Sequence, residues 1–202
     1  MAAILSNLRT TVIVSFVLSA LFLAVFVGLG WIGLNFDFWQ GLARWTHVVS
    51  GIMWIGLLWY FNFVQIPNMP KIPDDQKPAI GKVIAPAALF WFRWGAVATV
   101  VTGLAVAHLN QYMVSALTLG ATTSFSVPYH IFIGIGMWMA IIMAANVWFV
   151  IWPNQKIALG MVEAEAEAKP KAARTAMLFS RTNTLLSFPM LIAMAMAQTV
   201  FG

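Results

Sequence analysis

The stretch from His47 to Asn68 reads HVVSGIMWIGLLWYFNFVQIPN and carries no Lys, Arg, Asp or Glu. A predominantly apolar run of about 20 residues is long enough, as a helix, to cross a hydrocarbon core about 30 Å thick. This stretch therefore predicts a transmembrane helix that begins near a histidine and ends at a proline-asparagine pair.

A second stretch repeats this pattern. The residues from His130 to Asn154 read HIFIGIGMWMAIIMAANVWFVIWPN. In both stretches a glycine, Gly51 or Gly134, follows the histidine by four residues, so that each pair shares one helix face. We predict that the two helices run in the same direction and hold one flat macrocycle. Each histidine is then an axial ligand, and each glycine leaves room for the ring.

The composition indicates a membrane protein. Hydrophobic residues make up 61% of the 202 residues and charged residues only 8%, whereas a soluble domain carries about 25% charged residues. The net charge of +5 is explained by loop lysines and arginines rather than by nucleic-acid binding. Cysteine is absent, which excludes disulfides, iron–sulfur clusters and covalent attachment of a c-type haem. A bound haem is therefore expected to be haem b, held without a covalent bond.

The hydrophobic pattern predicts an all-α integral membrane protein that forms one transmembrane domain over residues 1–202. Five spans are expected in a helix bundle, at about 10–34, 42–66, 86–108, 128–152 and 176–201. Lysines and arginines concentrate in the loops after the second and fourth spans, and the loop after the third span has no charge. The positive-inside rule then places the N-terminus in the cytoplasm and the C-terminus outside. We expect a multi-pass protein of the bacterial inner membrane.

In this topology His47 and His130 lie at similar depth near the outer surface, where we expect them to ligate the haem iron. Arg44, one turn before His47, is expected to meet haem propionates. His108 also falls on the outer side, and an interfacial position is its competing interpretation. A zinc site is the alternative for the histidines, although no carboxylate lies near them in sequence. Helix packing is the alternative for Gly51 and Gly134.

A second polar group is expected near the cytoplasmic side. Arg93 and Arg181 lie near the starts of the third and fifth spans, which suggests a duplicated two-helix unit formed by helices two and three and by helices four and five. Together with Asn146 and Asn183, these arginines are candidates for binding a substrate or anion. The alternatives are an interfacial anchor for Arg93 and structural hydrogen bonds for the asparagines.

Several blocks resemble the membrane domain of the bacterial PuuD-type membrane-bound urate hydroxylases. The blocks are RWTHVVSGIMWIGLLWYFNFVQIP (44–67), WFRWG (91–95), NVWFVIWPNQK (146–156) and SRTNTLLSFPM (180–190). The helix with histidine followed by tryptophan is more distantly similar to the haem-binding membrane protoporphyrinogen oxidases. Members of the first family join such a domain to a C-terminal cytochrome c and oxidise urate. Because this sequence has no cysteine, we expect the partner to be a separate cytochrome c or a larger membrane complex.

Three functions follow as hypotheses. The first is a haem b redox protein that passes electrons to an extracytoplasmic acceptor. The second is a urate-type oxidoreductase that uses a separate cytochrome c, which is the activity the resemblance implies if the chain is an enzyme. The third is a non-catalytic accessory subunit of a respiratory or photosynthetic complex. The lipid bilayer is an expected partner in all three.

Overall fold

The computed structural model describes residues 2–201, and within that range it is helical, with no strand. Five helical segments are long and apolar enough to cross a membrane, so the chain is a multi-pass membrane protein and the prediction of five long apolar helices is confirmed. We number these segments α1 (Leu8–Gly28), α2 (Phe36–Lys71), α3 (Lys77–Leu109), α4 (Pro128–Ala158) and α5 (Ala168–Val200).

The first helix ends earlier than its expected span. The structure places the end of α1 at Gly28, followed by Gly30 with a φ of +74°. The N–H of Trp31 donates to the carbonyl of Phe26, and that of Gly30 donates to Val27. This pattern, with glycine in the left-handed conformation, satisfies the last carbonyls of a helix and stops it. By contrast, α2 to α5 extend beyond their expected spans, because a helix need not end where the hydrocarbon does.

The chain divides into two compact units, one up to Leu42 and one from Ala43 onward. The first unit contains a short helix, Ala2–Leu5, and α1, whose N-terminus is capped by the side chain of Asn7 accepting from the N–H of Thr10. The second unit contains nearly all of α2, the helices α3 to α5, and a short helix in the α3–α4 connection, Met113–Leu117. All residues of the candidate sites belong to the second unit.

Three widened, π-helical turns interrupt the long helices, and one residue separates each of them from a following proline. They lie at Tyr60–Gln65 in α2, Ile80–Ile84 in α3 and Asn146–Ile151 in α4. In α2 the N–H of Ile66, just before Pro67, reaches back five residues to Phe61, and in α4 Trp152 does the same to Val147. A proline ring clashes with the carbonyl four residues earlier, and a widened turn relieves that clash. The Pro-Asn ends of α2 and α4 thus share a backbone conformation.

A stripe of small residues brings α3 close to α2. Gly95, Thr99, Gly103 and Ala107 recur every four residues on one face of α3. A Cβ built at Gly95 would lie 3.3 Å from the backbone nitrogen of Trp54 in α2. Small residues at this spacing allow membrane helices to approach closely. Gly136 of α4 faces Ala193 of α5 in a similar way, since a Cβ on the glycine would lie 2.7 Å from that of the alanine.

Candidate functional site

His47 of α2 packs against the stripe of small residues on α3. Its Nδ1 lies 3.0 Å from the carbonyl oxygen of Thr99 and 3.3 Å from the hydroxyl of Thr102. A carbonyl oxygen only accepts, so the bond to Thr99 requires the proton on Nδ1 and leaves the lone pair on Nε2. A backbone carbonyl that fixes the tautomer in this way is the usual support of a metal-binding histidine.

Gly103 provides the space in which the imidazole lies. A Cβ built at this position would come within 2.8 Å of Cε1 and 3.2 Å of Nδ1 of His47. Real side-chain carbons do not approach this closely, so any larger residue at position 103 displaces the ring. Gly103 is therefore a positioning residue for His47.

A pair of tyrosines lies at the histidine-bearing end of α4. The rings of Tyr112 and Tyr129 meet edge to face with centroids 5.3 Å apart. The charge of Arg44, at the start of the His47 helix, acts on both hydroxyl groups. His130 follows Tyr129, and its ring centroid lies 5.8 Å from that of the tyrosine. Of the expected site residues, His130 therefore contacts this tyrosine pair and Arg44 lies within electrostatic range of it.

His130 differs from His47 in its support. Its Nδ1 is buried and has no hydrogen-bond partner within residues 2–201. The widened turn begins three residues later along α4 than along α2 when counted from the histidine, which is roughly 4–5 Å of helix. His130 therefore lies farther from its Pro-Asn end than His47 does.

The two candidate glycines both contact protein. Gly51 faces α3, and a Cβ there would lie 3.9 Å from the methyl group of Thr99. Gly134 is buried against the short helix, and a Cβ there would overlap the carbonyl oxygen of Ala116. This geometry favours the helix-packing interpretation for both glycines, most clearly for Gly134.

His108 is exposed at the end of α3, as the interfacial interpretation expects. No cluster of three or more His, Cys, Asp or Glu side chains suitable for a metal ion occurs in the described part of the chain. Structural and catalytic zinc sites commonly use three or four such ligands.

At the other end of the unit, polar side chains connect α5 to α2 and α4. Asn146 donates to the side chain of Asn183 at 3.0 Å, and Asn183 donates to the carbonyl of Met143 at 2.9 Å. Asn62 donates to the hydroxyl of Ser180 at 2.8 Å. Asn183 is completely buried. Two of the expected anion-binding residues, Asn146 and Asn183, thus contact each other in an interhelical hydrogen bond.

The two candidate arginines have different surroundings. Arg181 is exposed on α5. Arg93 is partly buried, and its Cζ lies 3.4 Å from the ring centroid of Trp152. Its Nε and Nη1 are buried without a hydrogen-bond partner in the described structure. The structure therefore brings the asparagines together but records no contact between them and either arginine.

Sequence reasoning missed four groups at the histidine end: Gly103, Thr99, the Ala116 carbonyl and the tyrosine pair. The four-residue repeat of small residues in α3 was a usable signal for the first two, since such repeats mark close helix contacts. Nothing in the uncharged α3–α4 connection indicated that it folds back onto Gly134.

A model of the urate oxidase N-terminal family matches residues 106–199. The matched region runs from the end of α3 through α4 and α5. It contains His130, Asn146 and Asn183, and it leaves out Arg44, His47 and Arg93. No curated protein and no solved structure matches the chain. The match covers slightly less than half of the chain and is consistent with a relation to urate hydroxylase-type membrane proteins.

Proposed function

We propose that this multi-pass membrane protein binds haem b near its histidine end and passes electrons to an acceptor outside the cytoplasm. The observation that carries this proposal is the geometry of His47. Its Nδ1 is held by the Thr99 carbonyl, and its ring is accommodated by Gly103. A histidine prepared with the lone pair on Nε2 suits coordination of haem iron.

His130 is the second residue that we propose would hold the haem iron. Its imidazole is partly buried in a chain segment with few polar groups, and its Nδ1 lacks a partner among the residues described. If His130 ligates iron through Nε2, its Nδ1–H still needs an acceptor that the described residues do not supply, so its support differs from that of His47. Arg44 lies within electrostatic range of the tyrosine pair that His130 contacts, and it would provide a positive charge for a propionate.

The proposed roles of the residues follow from their chemistry. Bound haem supplies one-electron redox chemistry. His47 and His130 would hold the iron, Thr99 and Gly103 keep the His47 ring in place, and Arg44 would neutralise negative charge on the haem. The acceptor is proposed to be a separate cytochrome c or a component of a larger membrane complex, with the protein in the bacterial inner membrane.

A pyridine haemochrome assay on protein purified after haem-replete expression tests the proposal. We expect one b-type haem per chain and a low-spin spectrum in the oxidised state. A colourless protein that takes up no added haem would contradict it and would support the accessory-subunit hypothesis.

Urate oxidation is the second candidate function, and the match to the urate oxidase N-terminal family is the observation that favours it. If it holds, urate added to the oxidised, haem-loaded protein reduces the haem without another donor. If artificial donors reduce the haem and urate does not, the protein is a redox carrier with a different reductant.

A further inference from the structure

An apolar groove lies between α3 and α4 and opens to the outside of the unit. It encloses about 330 Å³. Its walls are Val97, Val100 and Val101 from α3 and Ile141, Ala144 and Phe149 from α4, with Trp148 beside them. From Ile141 to Phe149 it extends roughly 12 Å along the helix. In a membrane-spanning pair of helices, an open apolar groove of this shape faces lipid chains.

One end of this groove carries positive charge. Arg93 lies one turn before Val97 on α3, and its guanidinium stacks on Trp152 of α4. The Nζ of Lys156 lies 5.6 Å from the centroid of the same indole ring. Trp152 and Lys156 follow Trp148 at four-residue intervals, so they share the face of α4 that borders the groove.

The donors at this end lack partners. The Nε and Nη1 of Arg93 and the Nε1 of Trp148 are buried and make no hydrogen bond to any described residue. Within residues 2–201, the ion pair that the structure shows joins Lys77 and Asp74. Arg93 therefore has no carboxylate partner among these residues. Buried cationic donors are costly when unpaired. Their natural complement is an anion whose oxygens accept several hydrogen bonds.

We propose that this groove binds one anionic glycerophospholipid. The headgroup phosphate lies beside Arg93 and Lys156 at the end of the groove, where the buried donors of Arg93 reach it when the guanidinium turns out from the Trp152 ring, and an acyl chain follows the groove toward the middle of the bilayer. The arginine fork suits two phosphate oxygens, and basic pockets between transmembrane helices bind anionic headgroups in this way. The site is separate from the proposed haem site and does not depend on it.

Thermal unfolding and native mass spectrometry of the full-length protein in a neutral detergent test this site. Phosphatidylglycerol should raise the midpoint of unfolding and remain bound in the gas phase. Phosphatidylcholine with the same acyl chains should do neither, because its headgroup has no net charge. Arg93→Gln should weaken phosphatidylglycerol binding at least about tenfold, the loss expected for a charge-assisted contact.

Three further variants make the result specific. Ala144→Phe fills the groove and should weaken binding while both cations remain. Lys156→Gln removes the second charge and should weaken binding even if Arg93→Gln fails to fold. Arg174→Gln, which removes an exposed arginine of α5, should leave binding unchanged.

Several outcomes would overturn the proposal. One is equal protection by phosphatidylcholine, and another is an equal loss of binding in Arg174→Gln. Protection by inorganic phosphate alone would indicate a site for free anions. Protection by urate that Arg93→Gln abolishes, without any by phosphatidylglycerol, would indicate a substrate site.

Discussion

The helices α2 and α4 have similar sequences. Their structures are alike at the Pro-Asn ends but differ at the histidine ends. At the Pro-Asn ends, both helices contain a widened turn that ends two residues before the proline, Tyr60–Gln65 in one and Asn146–Ile151 in the other. At the histidine ends, His47 is held by α3 through Thr99, whereas the Nδ1 of His130 has no partner in the described residues. The resemblance in the proline-containing half therefore reflects a shared backbone requirement, and it does not make the histidines equivalent.

The glycines after the two histidines differ as well. Gly51 makes an ordinary contact with Thr99, while Gly134 is packed against the carbonyl of Ala116. The same histidine-glycine spacing therefore occurs with a loose contact in α2 and with a tight contact in α4. The residue that makes room for an imidazole is Gly103, on a different helix.

The largest effect is expected from adding one methyl group at Gly103. Gly103→Ala places a carbon within 2.8 Å of Cε1 of His47 and should displace the ring, which abolishes or strongly lowers haem content in a pyridine haemochrome assay. Gly51→Ala is the matched control, because its new carbon lies 3.9 Å from its neighbour. An equal loss of haem in both variants would show that Gly103 has no special role in positioning His47.

Gly134→Ala should lower stability rather than act on the histidine directly. Its Cβ overlaps the Ala116 carbonyl, and forcing a group into a tight core typically costs about 1–3 kcal/mol. Thermal unfolding in detergent should show this as a lower midpoint than that of the wild type. Gly56→Ala, where nothing lies within 4 Å of the new carbon, is the control. An unchanged midpoint for Gly134→Ala would mean that the α3–α4 connection does not pack onto α4 as described.

Asn183→Ala should destabilise the contact between α4 and α5. It removes the acceptor of Asn146 and the donor to the Met143 carbonyl, and interhelical hydrogen bonds in membranes are worth about 1–2 kcal/mol at most. The exposed neighbour Thr182, which bonds only to the carbonyl of Leu178 in its own helix, provides the control variant Thr182→Ala. If thermal unfolding does not separate the two variants, the asparagine pair is not a structural bond, and a ligand-binding role for Asn146 and Asn183 is favoured.

The smallest effect concerns pH. Burial, reinforced by the neighbouring Tyr129, raises the pKa of the Tyr112 phenol above its ordinary value. The unfolded chain then releases this proton near pH 10 while the folded chain keeps it, so stability should decrease as the pH rises above about 10. Tyr112→Phe should reduce that alkaline loss in thermal unfolding measured across this range. If Tyr112→Phe loses as much stability above pH 10 as the wild type does, the alkaline loss comes from other groups.

The sequence was sufficient to predict the helices but not their contacts. Composition and run length predicted five long apolar helices, because the bilayer imposes both requirements on any spanning segment. The end of α1 at Gly28 was not predicted, since a left-handed glycine after an apolar run gives little signal against continued hydrophobicity. The contacts of His47 depend on which faces of α2 and α3 pack together. The sequence pattern of one helix does not determine which face of another helix it packs against.

The polar residues show the same limit. Asn146 and Asn183 were expected to lie in one cluster, and the hydrogen bond between their side chains places them together. Arg93 and Arg181 both lie in the first halves of their expected spans, but Arg93 stacks on Trp152 and Arg181 is exposed. Position along a helix gives depth in the membrane, whereas the direction of a side chain depends on tertiary packing.

The spectrum of haem-loaded His47→Ala and His130→Ala, measured beside His108→Ala, tests the central claim most directly. If His47 and His130 ligate one haem, each of the first two variants should lose the low-spin haem b spectrum and His108→Ala should keep it. A low-spin spectrum retained in His130→Ala and lost in His108→Ala would contradict the assignment, and would make His47 and His108 the ligand pair.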